Sequence, residues 1–582
     1  MNERWNLDIL YSGLDDPAYE ADFASLKQTA SRLHALTEDA PSPLTAEAAE
    51  QLLLCLEEGS SLMRRLGIYL NLRQSVETEN GEIMAQMARL MRIASDSAAD
   101  EAAAQKLLGG IEDADTLAEK SSVLRDYAVL IARAKEDRKH LLSNAEEALA
   151  AAMDATGGSA WSDLQQYLTS TVSVDFDGKP ATLTELRNLA SSPDPAVRKA
   201  AYEAELSCYP KIQDSVAFAL NNIKNQVTTL AEKRGFSSPL DQALHDSYMS
   251  RATLDALMSA IEEYLPVFRR YLRKKGSLLG YDNGLPWFEL FAPLGENTRT
   301  FTTEDARDYL LTCFESLSPD VAAVMKDAFD NAWIDFFPRP GKTGGAFDCG
   351  IPELKQSRVM TNFDGTFGAV DTLAHELGHA FHDRQVQDNR PLNTDYPMPV
   401  AETASTFNEV HLGSYALAQA SESEELALLE SDLRESTQCV VDIYSRYLFE
   451  TAVFGSCRDR FLMAGDLNEL MLDCQRKAYG DGLDPRWLNP GMWVCKSHYY
   501  ISGLSFYNFP YAFGNLFAVG LYAMYREDPE GFFPRYKAML RDTPVHTMEE
   551  NGLAVGVDLT DRAFWVRSLK LLAEKIDRFC AL

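Results

Sequence analysis

The sequence has no C-x-x-C pair: its nine cysteines, at 55, 208, 313, 349, 439, 457, 474, 495 and 580, are scattered along 582 residues. That pattern excludes a zinc knuckle and argues against a disulfide framework, and reduced thiols are expected. Positive charge is also short. Lys and Arg number 55 against 87 Asp and Glu, a net charge of −32, which disfavours nucleic acids and anionic membrane surfaces as partners. No run of about 18 apolar residues occurs, so no membrane span is expected. The opening "MNERWNLDIL" lacks a basic region followed by an apolar one, so no secretory signal is expected either. Together these features predict a cytoplasmic protein. Nucleotide and serine or thiol chemistry find no motif. "PGKTGG" at 340–345 resembles the end of a phosphate loop, but Phe336 stands where the first glycine belongs. G-x-S-x-G is absent, and Cys349 has no histidine nearby in sequence.

Strand signal is sparse and helix signal is abundant. Residues 50–74 and 82–108 space apolar side chains by three and four with charges opposite, and "HLLSNAEEALAAAM" starts a helix at Ser143 with Glu146 completing a capping box. "SSPDPAVRKAAYEAEL" does the same with Asp194 as cap and Pro195 in first position. The best hairpin candidate is 172–183, turning at Asp177-Gly178, and a second extended stretch is expected over 357–367. The expected class is mainly α with a few short strands, and the softest boundary falls near 185–200.

The chemistry concentrates in "TLAHELGHAFHD", residues 372–383. On a helix, His375 and His379 lie about 40° apart and one turn along, so both imidazoles can reach one ion. Glu376 is turned about 100° from His375, beside such an ion rather than on it, where a base belongs. Asp371 is a candidate cap for this helix. His382 falls at +7 with no break to bend it back, and reads as a packing or supporting residue. A third ligand must come from elsewhere. Prolines 391, 397 and 399 interrupt the chain before "AETASTFNEVHL" resumes helical spacing, and Glu402 at its start could return to the metal. Glu409, two turns further, is better placed to hydrogen-bond a ligating imidazole. A His₂Glu set leaves a position open for water, the arrangement of catalytic zinc. Further on, 496–525 crowds His498 with six tyrosines. It reads either as aromatic core, favoured for Tyr522 and Tyr525, or as a cleft wall where His498 and one or two of Tyr500, Tyr507 and Tyr511 face an oxyanion.

These residues, with "WNLDILYSGLDDP", "HLLSNAEEALAA", "GKTGGAF", "AETASTFNE", "HYYISGLSFYNFPYAFGNLF", "YKAMLRD" and "GVDLTDRAFW", make a chain that resembles oligoendopeptidase F, in the thimet oligopeptidase family of HExxH zinc metallopeptidases. The resemblance implies a helical two-lobed zincin-type fold around a deep substrate channel. The soft boundary near 185–200 divides an N-terminal helical region with a small β-hairpin at 1–190 from a zinc metallopeptidase catalytic domain at 191–582. The resemblance also implies one zinc ion on His375, His379 and Glu402, with Glu376 as general base. His498 and Tyr511, with Tyr507 beside it, match the residues that steady the transition state. Gly503-Leu504 stands where the thimet-like branch has Gly-Tyr, and the tyrosine register is offset by about one residue. The implied activity is zinc-dependent endopeptidase cleavage of short unstructured peptides. A helical zinc carboxypeptidase and a non-catalytic peptide-binding protein are the rivals. The sequence leaves the oligomeric state open.

Overall fold

The computed structural model describes residues 2–112, 116, 119–295 and 299–582, and they are mostly helical. Three long helices open the chain: Pro17–Glu38, capped by Asp16, Ala46–Val76, capped by Thr45, and Gly81–Leu108, capped by Asn80. Phe23, Leu66, Tyr69 and Ile83 bury their apolar faces against one another. The capping signals read from the sequence form as expected. Glu146 N–H donates to Ser143 Oγ at 3.3 Å while Glu146 Oε2 accepts from Ser143 N–H at 3.0 Å, and Asp194 caps Pro195–Cys208. The hairpin pairs β1 (Ser173–Phe176) with β2 (Lys179–Thr182). Its turn residues Asp177 and Gly178 have φ of 54° and 75°, the positive values a tight two-residue turn requires.

The second sheet, β3 (Ile334–Asp335), β4 (Phe347–Ile351) and β5 (Gln356–Met360), positions the site. Its order is β3-β5-β4, parallel then antiparallel, so β4 is an edge strand. The extended stretch expected over 357–367 is strand only as far as Met360, after which a loop leads to the histidine helix. "PGKTGG" serves this sheet: the buried Lys342 ammonium donates to Asp335 Oδ1 at 2.7 Å and Phe337 O at 3.0 Å. Alternation along β4 gives it two faces. Phe347, Cys349 and Ile351 pack on the N-terminal helices, while Asp348 and Gly350 turn towards the histidine helix.

The largest apolar cluster runs from Val172 to Phe579, and two smaller ones gather residues of the first 131 positions with Ile351 or Leu392 at their margins. The nine cysteines are all free thiols. Among the described residues no helix is long and apolar enough to cross a membrane.

Candidate metal centre

The histidine helix spans Phe367–Val386. Its cap is Thr366, whose Oγ1 accepts from Ala369 N–H at 3.2 Å. Asp371 is therefore inside the helix and is no cap. Gly365, at φ 81°, turns the chain sharply just before Thr366, so the helix begins five residues earlier than the Asp371 signal suggests. Burial, and then the charges of Glu409 and Glu435, lift the Asp371 carboxyl well above its usual range.

His375, His379 and Glu402 come together. Their donor atoms form a nearly equilateral triangle: His375 Nε2 to His379 Nε2 is 3.2 Å, and Glu402 Oε2 is 3.3 Å from each. Tetrahedral zinc with bonds of about 2.0–2.1 Å separates its ligand atoms by about 3.3–3.4 Å, so the three edges fit that ion within about 0.2 Å. The side chains are 25%, 18% and 34% exposed, in the same order, which leaves the open face reachable from solvent. The electrostatics agree with the geometry. Burial opposes charge on His375, yet hydrogen bonds with Glu402 and Glu409 override it and raise the imidazole to about 11. Burial likewise opposes charge on Glu402, and the two imidazoles override it and hold the carboxylate far below its usual range.

Close helix packing delivers Glu402. It sits between the short helix Met398–Ala401 and the helix Thr403–Leu417, and Ser405 Oγ donates to its Oε2 at 2.9 Å. The second helix crosses the first at Gly378, within the histidine motif itself. A Cβ there would lie 2.6 Å from Ser405 Cα and 2.7 Å from Ala404 O. Gly514 plays the same part for the helix Phe509–Glu527, where a Cβ would approach Pro399 O at 3.0 Å and Glu402 Cβ at 3.7 Å.

Glu409 Oε1 lies 2.9 Å from His375 Nδ1, so it accepts that N–H and keeps Nε2 turned into the triangle. His382 points away. It is fully buried, stacked on Tyr396 at 4.0 Å, with Nε2 2.8 Å from Thr543 Oγ1. Glu376 is 6% exposed; burial raises its carboxyl, with His375 and His379 pulling the other way. The backbone N–H of Asp348 on β4 faces that carboxylate.

The aromatic segment divides. Tyr500 is core: it is fully buried and its hydroxyl donates to Trp493 O at 2.9 Å. The Tyr507 and Tyr511 hydroxyls are 2.5 Å apart, and Tyr511 is near enough to Glu402 to feel its charge. His498 stacks on Tyr507 at 5.9 Å, its Nε2 buried without a hydrogen-bond partner, and burial followed by Arg446 and Lys496 holds it near about 2, a neutral imidazole. Tyr522 lies in the core, 3.3 Å from His411 Nδ1.

Sequence reasoning missed the buried carboxyls behind Glu376. Asp348 and Asp383 hydrogen-bond each other, Tyr396 OH donates to Asp383 Oδ1 at 2.9 Å, and burial lifts both carboxyls. Asp383 is on the histidine helix, but no local pattern pairs it with a strand 35 residues earlier. Gly350 makes room for the pair: a Cβ there would collide with the Asp383 carboxylate.

The family description "Peptidase family M3" matches residues 313–541, and "Oligopeptidase F" matches residues 111–173. Oligopeptidase PepF of Bacillus subtilis is 24% identical over 595 residues, covering 99% of this chain and 86% of that protein. An oligoendopeptidase F homolog of Lactococcus lactis is 25% identical, covering 96% and 94%. Among solved structures, a chain from Chlamydophila abortus superposes with a TM-score of 0.85 at 19% identity, covering 98% of each chain. Oligoendopeptidase-F from Enterococcus faecium gives 0.68 at 20%, covering 97% and 98%. The structural likenesses speak for the fold. With the family matches and the relatives that align along nearly its whole length, the chain belongs to peptidase family M3 and is a metalloendopeptidase of the oligoendopeptidase F type.

Proposed function

We propose that this peptidase is a cytoplasmic zinc enzyme that cleaves short unstructured peptides at internal bonds. The observation that carries the reading is the donor triangle of His375, His379 and Glu402, with edges of 3.2, 3.3 and 3.3 Å. Zinc on these donors supplies Lewis-acid chemistry, acidifying a water molecule and polarising the scissile carbonyl. Glu376 takes the proton from the attacking water onto its carboxylate and passes it to the departing amine, a role its burial suits by raising its basicity. Glu409 holds the His375 ring through Nδ1, fixing which nitrogen faces the ion. His498, kept neutral, and Tyr511, hydrogen-bonded to Tyr507, donate N–H and O–H to the carbonyl oxygen as it gains negative charge.

The free edge of β4 beside Glu376 offers backbone donors and acceptors to an extended peptide, which supports unfolded substrates. In this reading residues 191–582 carry every metal donor and the base. Residues 1–190 supply the helices behind β4 and govern access.

A pool of about ten-residue peptides, incubated with and without a chelator and read by mass spectrometry, tests the reaction. Internal cuts that vanish with chelator and return with zinc are expected. Release of single C-terminal residues alone would make it a carboxypeptidase. Glu376→Gln tests the base: zinc stays bound and turnover falls by about 10²–10⁴-fold. A zinc-loaded variant with near-normal turnover would overturn the mechanism.

A further inference from the structure

Asp348 on β4 meets the histidine helix at two points. Its backbone N–H faces the Glu376 carboxylate, and its side chain hydrogen-bonds Asp383. Glu376 and Asp383 are seven residues apart, about two turns, so they share one face of the helix Phe367–Val386. A strand held to a helix at two points two turns apart resists both sliding along it and swinging away from it.

The second contact is built from both elements. Gly350 lies on the same face of β4 as Asp348, and a Cβ there would stand 2.0 Å from Asp383 Oδ2. Tyr396 OH donates to Asp383 Oδ1 at 2.9 Å, and the Tyr396 ring stacks on His382 at 4.0 Å, which fixes the Asp383 carboxyl from the helix side. Ser357 Oγ donates to Asp348 Oδ2 at 3.3 Å, while Asp348 Oδ1 is buried and finds no N–H or O–H donor among the described residues. Ionised carboxylates only accept hydrogen bonds, and two in contact repel, so the bond between these two needs a proton held between them. The Arg358 guanidinium on β5 is engaged elsewhere, by Asn6 O at 2.8 Å and Ser357 O at 2.7 Å. The other charges that act on the pair are Glu376, His379 and Asp395, and burial keeps the adjoining Cys349 thiol neutral, pushed up to about 12.

We infer that Asp348 and Asp383 are positioning residues for this peptidase: the hydrogen bond they share ties β4 to the histidine helix and so seats the Asp348 amide on Glu376. The amide then holds the Glu376 carboxylate at one place beside the donor triangle, where a displacement of about 1 Å can cost about 100-fold in rate. The inference rests on the reading of Glu376 as the base and adds to it the groups that hold that base still.

The test compares zinc-loaded Asp383→Asn, Asp383→Ala and Asp348→Ala with the wild type and with Glu376→Gln, taking kcat and KM per bound zinc. The two alanine variants break the tie, and should lose about 10–100-fold in kcat with KM little changed and zinc bound in full. Asparagine can donate Nδ2–H to Asp348 with no shared proton while its oxygen still accepts from Tyr396, so Asp383→Asn should recover most of that loss. A second readout does not depend on turnover. Folding takes up the shared proton, because an unfolded aspartate is ionised above about pH 4 while burial lifts both carboxyls in the folded chain, so wild-type stability falls as pH rises from about 5. Asp383→Asn takes up no such proton, and in urea titrations between about pH 5 and pH 7 its unfolding constant should climb less steeply, by up to about tenfold per pH unit. Parallel slopes, alanine variants with near-normal kcat, or an Asp383→Asn as slow as they are each overturn the tie while leaving the peptidase standing. Near-normal turnover in Glu376→Gln removes the base, and this role with it.

Discussion

Gly378→Ala tests what brings Glu402 to the two imidazoles. Two effects oppose each other. Alanine is the better helix former by about 1 kcal/mol, so on propensity alone the variant is more stable. Against that, the new methyl would stand 2.6 Å from Ser405 Cα, 2.7 Å from Ala404 O and 2.9 Å from Ser405 N, where ordinary contact begins at 3.4 Å. The shortfall at Ser405 Cα is 3.4 − 2.6 = 0.8 Å, and backbone atoms cannot rotate away. The helices Phe367–Val386 and Thr403–Leu417 must separate by that order. Overpacking of this kind costs about 1–3 kcal/mol, so sterics offset the propensity gain or exceed it. The metal site suffers more than the fold. Glu402 rides on the displaced segment, and an oxygen now 3.3 Å from each imidazole nitrogen moves by several times the roughly 0.2 Å a zinc site tolerates. Zinc affinity should fall about 10–100-fold in chelator competition, with the metal-free melting temperature unchanged or lowered. Gly413→Ala is the control. It lies on the same second helix, no atom lies within 4 Å of its would-be Cβ, and it should gain up to about 1 kcal/mol with normal zinc affinity. If Gly378→Ala matched Gly413→Ala in both measurements, close approach at residue 378 would not be what places Glu402.

Four further outcomes are expected. In metal analysis of purified variants, Glu402→Ala should lose most of its zinc, Glu409→Ala should bind it about 10–100-fold more weakly, and His382→Ala should keep it despite lower stability; full retention in Glu402→Ala would mean the wrong carboxylate has been chosen. His498→Ala and Tyr511→Phe should lower kcat with little change in KM, whereas losses confined to thermal stability would return both to the aromatic core. Burial above all holds His382 near about 3 in the folded chain against about 6.5 when unfolded, so the unfolded state binds the extra proton and stability falls as pH drops below about 6.5. Urea titrations between pH 6 and pH 4.5 should show His382→Gln relieved of about 1.4 kcal/mol per pH unit of that slope, and parallel slopes would refute the assignment. A stable folded protein should survive incubation that consumes a ten-residue peptide, and efficient digestion of it would contradict the need for an extended substrate.

Much of the site was legible because it is local. His375 and His379 face the same side because four residues make about one helical turn, and Glu376 stands aside by the same periodicity. The capping box at Ser143 and the turn at Asp177-Gly178 are likewise decided by neighbours a few residues apart. Local signals fail where two compete. Thr366 and Asp371 are both good caps, and the sharp turn at Gly365 selected the first. Tyr500, Tyr507 and Tyr511 are one residue type within twelve positions, yet the first spends its hydroxyl on Trp493 O and the other two hydrogen-bond each other beside Glu402. The loop prolines made Glu402 a reasonable third donor, but a gap of 23 residues has no set length in space. What closed it is contact: Gly378 against Ser405 and Gly514 against Pro399 let helices meet closely enough to bring a carboxylate within 3.3 Å of two imidazoles. Helical periodicity aims a side chain, and only tertiary packing determines what stands opposite it.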